Sequence, residues 1–266
     1  MTKTAAVKST AIKTTAQKIY IGLIFLFLYA PILTLILLSF NASRVRTKWD
    51  GFSFKWYVSL FGNREIMQAL WNTLFIAFVA SLAAVVIGTA ACIAVNRMTR
   101  KKRAVVMGIT NIPMLNADIV TGISLMLLFI SFGFKFGLGT ILLSHITFCI
   151  PYVMLCVMPR IRQVDASVYE AAMDLGASPL HAFLKVVFPD ILPGVLSGYL
   201  MAFTMSLDDF IITHFTKGAG VDTLSTKIYT EVKKGIKPEM YALSTIIFLT
   251  VLLLLFLVNR PPKEKN

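Results

Sequence analysis

Residues 165–189 read Asp-Ala-Ser-Val-Tyr-Glu-Ala-Ala-Met-Asp-Leu-Gly-Ala-Ser-Pro-Leu-His-Ala-Phe-Leu-Lys-Val-Val-Phe-Pro. Local physics makes this stretch two short helices. Ser167 followed by Glu170 forms a capping box, which satisfies free N–H groups at a helix start. Gly176 stands where a C′ glycine ends a helix. Ser178 is then an N-cap, with Pro179 at the first position of the next helix. The pair is too polar for a bilayer interior. As a plain connector it leaves one feature without a reason: the small, flat surface of Ala171 and Ala172, which a partner can approach closely.

On both sides of this loop the chain is strongly apolar. Of 266 residues, 57% are hydrophobic and 15% charged, where a soluble domain carries about 25% charge. Mean hydropathy is +0.76. Six apolar runs stand out, at 19–40, 69–96, 104–130, 137–159, 191–214 and 240–259. Each is near the ~20 residues a helix needs to cross the hydrocarbon core. Continuous apolar runs exclude the alternation of barrel strands. The expected fold is all-α and integral to the membrane, a bundle of six transmembrane helices over 19–259.

The net charge of +13 falls between the runs, where lysine and arginine face lipid headgroups and set orientation. No basic stripe interleaved with exposed aromatics points to nucleic acid. With the N-terminus inside, inner segments hold 15 basic residues and outer segments 11. Density decides more than the total: Arg97, Arg100, Lys101, Lys102 and Arg103 crowd one short loop. Both termini are expected in the cytoplasm, with a basic tail at 1–18, a polar loop at 160–190 and a short tail at 260–266. The first run follows Lys3, Lys8, Lys13 and Lys18 like a signal peptide, but its apolar stretch exceeds a signal's 7–15 residues and no small-x-small site follows. It reads as a retained helix. The outer loop 41–68, with Trp49, Trp56, Tyr57 and Phe61, is expected along the membrane interface.

Cys92, Cys149 and Cys156 lie inside apolar runs without CxxC spacing, so they read as packing residues. His145, His181 and His214 form no close-spaced ligand set, and neither a metal nor a catalytic residue is expected. No GxxxxGK[ST] phosphate loop occurs. HExxH and GxSxG are absent as well.

Acidic residues within spanning helices mark a substrate or ion pathway by default. Three occur: Asp118 in the third run, Asp208 and Asp209 in the fifth. On straight helices rising ~1.5 Å per residue, Asp118 lies ~21 Å and Asp208 ~25 Å from the inner ends. Ser197, Met201, Thr204 and Asp208 share one face; Tyr199, Phe203, Ser206 and Phe210 share another; Met114, Asp118, Thr121, Gly122 and Leu125 share a third. No lysine or arginine sits mid-run to pair with these carboxylates. They either bond to neighbouring helices or await a cation, with aromatic faces beside them.

The string Glu170-Ala171-Ala172, then Gly176, then Val186-x-Phe188-Pro189 resembles the EAA loop of ABC importer permeases. Val186 and Phe188 stand where that family usually has isoleucine and leucine. The resemblance implies a type I importer permease-like bundle whose loop, through Glu170, Ala171, Ala172, Gly176 and Pro189, couples to a separate cytoplasmic ABC ATPase dimer. ATP would be used there, and this subunit would bind no cofactor. Further strings are similar to C-type permeases of spermidine/putrescine importers: Phe40-Asn41-Ala42-Ser43-Arg44 with Trp49, Lys55-Trp56-Tyr57, Asp118-Ile119-Val120, Ser144-His145-Ile146-Thr147-Phe148-Cys149 with Pro151, and Ser206-Leu207-Asp208-Asp209. That family implies a heterodimer with a second homologous permease subunit, an extracytoplasmic polyamine-binding protein, and pathway roles for Trp49, Asp118, Ser206, Asp208 and Asp209. It also implies a multi-pass protein of a prokaryotic cell membrane. Thiamine or iron(III) as cargo stays open on the residues alone, and so does a secondary transporter. The anions sulfate and phosphate fit the carboxylates poorly.

Overall fold

The computed structural model describes residues 2–45 and 47–258, with side chains from Gln17 onward except those of Ala166, Val251 and 253–258. The tail at 260–266, Arg46, and the side chains of Lys3, Lys8 and Lys13 lie outside the described residues. Among the described residues twelve helices follow one another: α1 (Thr2–Ser39), α2 (Lys55–Gly62), α3 (Arg64–Asn96), α4 (Arg100–Leu115), α5 (Asp118–Ser131), α6 (Leu138–Ile161), α7 (Ala166–Asp174), α8 (Pro179–Ala182), α9 (Phe188–Asp208), α10 (Ile211–Thr216), α11 (Leu224–Lys234) and α12 (Pro238–Val258). A π turn, Phe183–Val187, joins α8 to α9.

Among the described residues, four helical stretches are long and apolar enough to cross a membrane: Gln17–Ser39, Arg64–Asn96, Leu138–Ile161 and Pro179–Asp208. α4 and α5 make a fifth span only as a pair, because they are bent by 105°. α12 occupies the sixth apolar run over 21 residues, its last side chains outside those described.

Two expected spans are therefore not straight. In the third, Pro113 withholds an N–H and crowds the carbonyl four residues back. Asn116 and Ala117 follow in extended conformation, ψ 152° and 138°, before α5 begins. The fifth span begins at Pro179 rather than near 191 and stops at Asp208, since Asp209 is extended with ψ 129°.

The chain divides into two compact units, residues 1–64 with 230–266 and residues 65–229. In the first, α12 packs against α1 and α2. Glu239 of α12 accepts hydrogen bonds from Ser59 Oγ at 2.6 Å and Asn63 Nδ2 at 3.3 Å. The loop after α1 is organised by Asn41, which is 2% exposed. Its Nδ2 donates to Lys48 O (2.7 Å), its Oδ1 accepts from the amides of Ser43 and Asp50, and its own carbonyl accepts from Trp56 Nε1 (2.6 Å).

In the second unit α6 is central. Cys149, Val153 and Val157 fall on one face of α6 and are fully buried, against Ala84 and Cys92 of α3 and Ile191, Val195 and Ala202 of α9. Lipid is as apolar as leucine, so close packing rather than water exclusion holds such helices, and small residues permit it. Gly194 shows how close α9 comes: a Cβ there would meet Arg160 Cγ at 2.7 Å and Cys156 O at 3.0 Å. α5 packs on α10 in the same unit.

Candidate functional site

The bend and the break put the acidic residues at helix ends. Asp118 is the first residue of α5 and Asp208 the last of α9. Depth measured along straight helices does not apply to Asp118, and the face running from Met114 to Leu125 is cut by the extended residues Asn116 and Ala117. The ends nevertheless meet. Asp118, Asp208 and Asp209 line one cavity of about 380 Å³, walled by Phe148 and Tyr152 of α6 with Met205, Phe210, Ile211 and Ile212.

The three carboxylates are not equivalent. No basic side chain pairs with Asp118 or Asp208 among the described residues. Asp209 is held by its surroundings. Its Oδ1 accepts from the amide of Ile212 (3.2 Å), and its Oδ2 accepts from the amide and hydroxyl of Thr213 (2.8 and 2.7 Å). It caps the otherwise free N–H groups at the start of α10, the ordinary work of an aspartate there. His145 Nε2 stands 3.5 Å from Asp209 Oδ2. Of the two alternatives read from the sequence, Asp209 thus takes hydrogen bonds from the next helix, whereas Asp118 and Asp208 have no basic partner among the described residues.

Ser206 does not line the cavity. It is 3% exposed and shares a 2.6 Å hydrogen bond with His145 Nδ1, while His145 Nε2 meets Thr213 Oγ1 at 2.9 Å. Trp49 belongs to the first unit, where it is exposed. Along α9, Ser197, Met201, Thr204 and Asp208 are all exposed on the isolated chain. The hydroxyls of Ser197 and Thr204 donate to carbonyls four residues back at 2.8 Å, which leaves Asp208 as the charged end of that face. On the other face Tyr199 and Phe203 stack with centroids 6.1 Å apart, whereas Phe210 has left the helix for the cavity wall.

The sequence reading missed His145, Thr213, Phe148 and Tyr152. A legible signal existed for each of them. Aspartate followed four residues later by threonine, after an apolar helix, fits a capped restart. His145, Phe148 and Tyr152 fall at i, i+3 and i+7, one helical face.

The polar loop between α6 and α9 is built nearly as expected, with two corrections: the cap of the first helix and the length of the second. The N-cap of α7 is Asp165, not Ser167: Asp165 Oδ1 accepts from the Ser167 amide at 3.0 Å. That N–H, donated to the charged form, holds the Asp165 carboxyl below the usual carboxylate range, so the cap is lost only as pH falls through that lowered value. Ser167 thus lies inside the helix, and Glu170 is exposed and free of a capping duty. At the other end Gly176 has φ +88°. Its amide donates to Met173 O (2.9 Å) and that of Ala177 to Ala172 O (3.1 Å), the two bonds of a Schellman turn. Ser178 Oγ accepts from the His181 amide, with Pro179 at the first helical position.

A shallow groove of about 580 Å³ runs over Ala172, Leu175, Gly176, Ser178, His181 and Lys185. Leu175 protrudes from it, 89% exposed. The second loop helix does not end at Pro189. It runs unbroken from Pro179 to Asp208, 30 residues, or ~45 Å. The π turn absorbs the proline: the Phe188 amide reaches back five residues to Phe183 O, opening the turn where Pro189 has no N–H to give. One helix therefore joins the groove to the acidic cavity.

Helices long and apolar enough to cross a membrane, joined by a capped polar loop, suit a multi-pass membrane protein. The chain belongs to the family described as the binding-protein-dependent transport system inner membrane component, whose model matches residues 84–260. That membership places it in the inner membrane and sets aside the secondary-transporter reading. It is 37% identical over 247 residues to the spermidine/putrescine transport system permease protein PotC of Haemophilus influenzae, covering 93% of this chain and 96% of that one. It is 40% identical over 230 residues to the putrescine transport system permease protein PotI of Escherichia coli, 84% and 82% of the two chains. In fold it matches a bacterial ABC transporter involved in the import of the acidic polysaccharide alginate, with TM-score 0.73, 18% identity and coverage of 96% and 95%.

Proposed function

We propose that this chain forms half of the translocation channel of an ATP-driven polyamine importer. Its partners are a second homologous permease subunit, a cytoplasmic ABC ATPase dimer and an extracytoplasmic polyamine-binding protein. The observation that carries the cargo is the cavity, in which Asp118 and Asp208 stand without a basic partner beside Phe148, Tyr152 and Phe210. Two carboxylates and aromatic faces suit a flexible cation with separated ammonium groups, and the ring faces contribute to holding it. The names of the relatives point to the same cargo.

Coupling is assigned to Glu170, Ala171, Ala172, Gly176 and Pro189. Ala171 and Ala172 keep the loop surface low, Gly176 fixes the turn, and Pro189 sits at the π turn where the loop joins the long helix. A push on α7 by the ATPase is transmitted along Pro179–Asp208 to the cavity. Both termini and this loop lie in the cytoplasm in this reading, and Trp49 lies on the external side, on the approach to the channel.

The test is uptake of radiolabelled putrescine by cells lacking their own polyamine importers and supplied with this chain and its neighbouring gene products. Uptake that spermidine competes and that needs the ATPase is expected. Uptake of thiamine or iron(III), with none of polyamine, would overturn the cargo while leaving the permease class intact.

A further inference from the structure

We infer that His145 is a positioning residue for the cargo path: it sets the break between α9 and α10 and thereby fixes Asp208 against the aromatic wall of α6. The inference rests on the cation path proposed above and adds a residue to which no role in transport has been given.

The hydrogen bonds run in one direction. The Thr213 hydroxyl donates to Asp209, so Thr213 Oγ1 is left to accept from His145 Nε2–H. A neutral imidazole protonated there has a free lone pair on Nδ1, which accepts from the Ser206 hydroxyl. Ser206, His145, Thr213 and Asp209 then form a chain with every donor used. His145, Ser206 and Thr213 are 1%, 3% and 0% exposed, so no water substitutes freely for a missing member.

The placement explains why this matters for Asp208, which His145 does not touch. Ser206 lies two residues before Asp208 and Asp209 one after, so both flanks of Asp208 are anchored to the same ring. On α6 that ring lies on the face that carries Phe148 and Tyr152, and it meets Phe148 edge-on with centroids 5.2 Å apart. One side chain thus registers the acidic end of α9 against the aromatic wall. Without the ring the Ser206 hydroxyl can turn to the carbonyl four residues back, as those of Ser197 and Thr204 do, whereas the Thr213 arm has no such substitute and its loss frees the start of α10 from His145.

Asparagine and glutamine separate the arms. In H145N the asparagine amide would lie near the Nδ1 position, and in H145Q the glutamine amide would lie near Nε2. H145N therefore keeps the Ser206 arm and H145Q the Thr213–Asp209 arm. In the assembled importer reconstituted into proteoliposomes, putrescine uptake and ATP hydrolysis are each measured per complex for H145N, H145Q, T213V and D208N. For H145N and T213V uptake is expected to fall about tenfold, and for H145Q less than threefold, the scale of one buried hydrogen bond. ATP hydrolysis per complex should hold in all of them, because a structural lesion would lower complex yield or both rates together. Equal uptake by H145N and H145Q overturns the positioning role, as does a parallel fall of uptake and hydrolysis, or failure of every His145 and Thr213 variant to assemble. If D208N transports at the wild-type rate, the cation path itself fails. If D208N is impaired while H145N is not, only the inference fails.

Discussion

Gly176 gives a graded test of the coupling loop. Its φ of +88° lies in the left-handed region, and a Cβ built there meets no atom within 4 Å. Any cost of substitution is therefore backbone strain, not crowding. For an L-residue that strain is roughly 1–2 kcal/mol, and a β-branched side chain adds to it. Relieving it by unwinding the turn gives up the bonds from Gly176 to Met173 O and from Ala177 to Ala172 O, about 0.5–1.5 kcal/mol each. Either route shifts the balance between the closed turn and an opened loop by about tenfold for alanine, at ~1.4 kcal/mol per factor of ten. Asparagine tolerates the left-handed region, so the expected order of uptake is Gly176, then G176N, then G176A, with G176V lowest. The assay is putrescine uptake normalised to the amount of chain in the membrane, which should not change because no spanning helix is touched. Wild-type uptake by G176V would show that the turn does not matter to coupling. G176N failing as badly as G176V would show that backbone strain is not the cause.

E170K and A172F should insert normally and abolish uptake, since one places an exposed charge of the wrong sign and the other raises a flat surface; normal uptake by either removes the loop from coupling. Single cysteines near 100 and 175, in a chain freed of Cys92, Cys149 and Cys156, should resist impermeant thiol reagents added from outside, while those near 50 and 225 should react. External labelling at 175 would reverse the orientation and the coupling argument together. Gly218 is expected to admit no other residue, because a Cβ would stand 2.1 Å from Phe136 O; G218A should lower the yield of assembled importer several-fold on the scale of an overpacked site, and unchanged yield would show that the loop gives way.

The parts of this fold legible in the sequence were those written in local chemistry. Apolar runs of spanning length located the helices, and glycine at 176 with serine and proline at 178 and 179 located the turn. Non-local packing set the rest. Pro113 was visible, but a 105° bend depends on how α5 packs on α10, so Asp118 could not be read as a helix start. Asp165 and Ser167 are both good caps, two residues apart, and propensity alone does not choose between them. Asp209 looked like its neighbour Asp208 because its capping of the Ile212 and Thr213 amides shows only once α9 is known to end at Asp208. The second of the two short helices expected over 165–189 is a long one because the π turn before Pro189 lets it carry on, a packing detail that no local residue pattern displays.

In the proposed transport cycle Asp118 and Asp208 carry a cation across, driven by an ATPase that docks elsewhere on the chain. The decisive measurement is putrescine uptake by the D118N and D208N importers in proteoliposomes, with ATPase association measured in the same preparations. Asparagine keeps the shape and removes only the charge. We expect association at the wild-type level and uptake reduced at least tenfold by each change, on the scale of about one lost charge-assisted contact. Wild-type uptake by both fully assembled variants would make these carboxylates structural and leave the cation path without support.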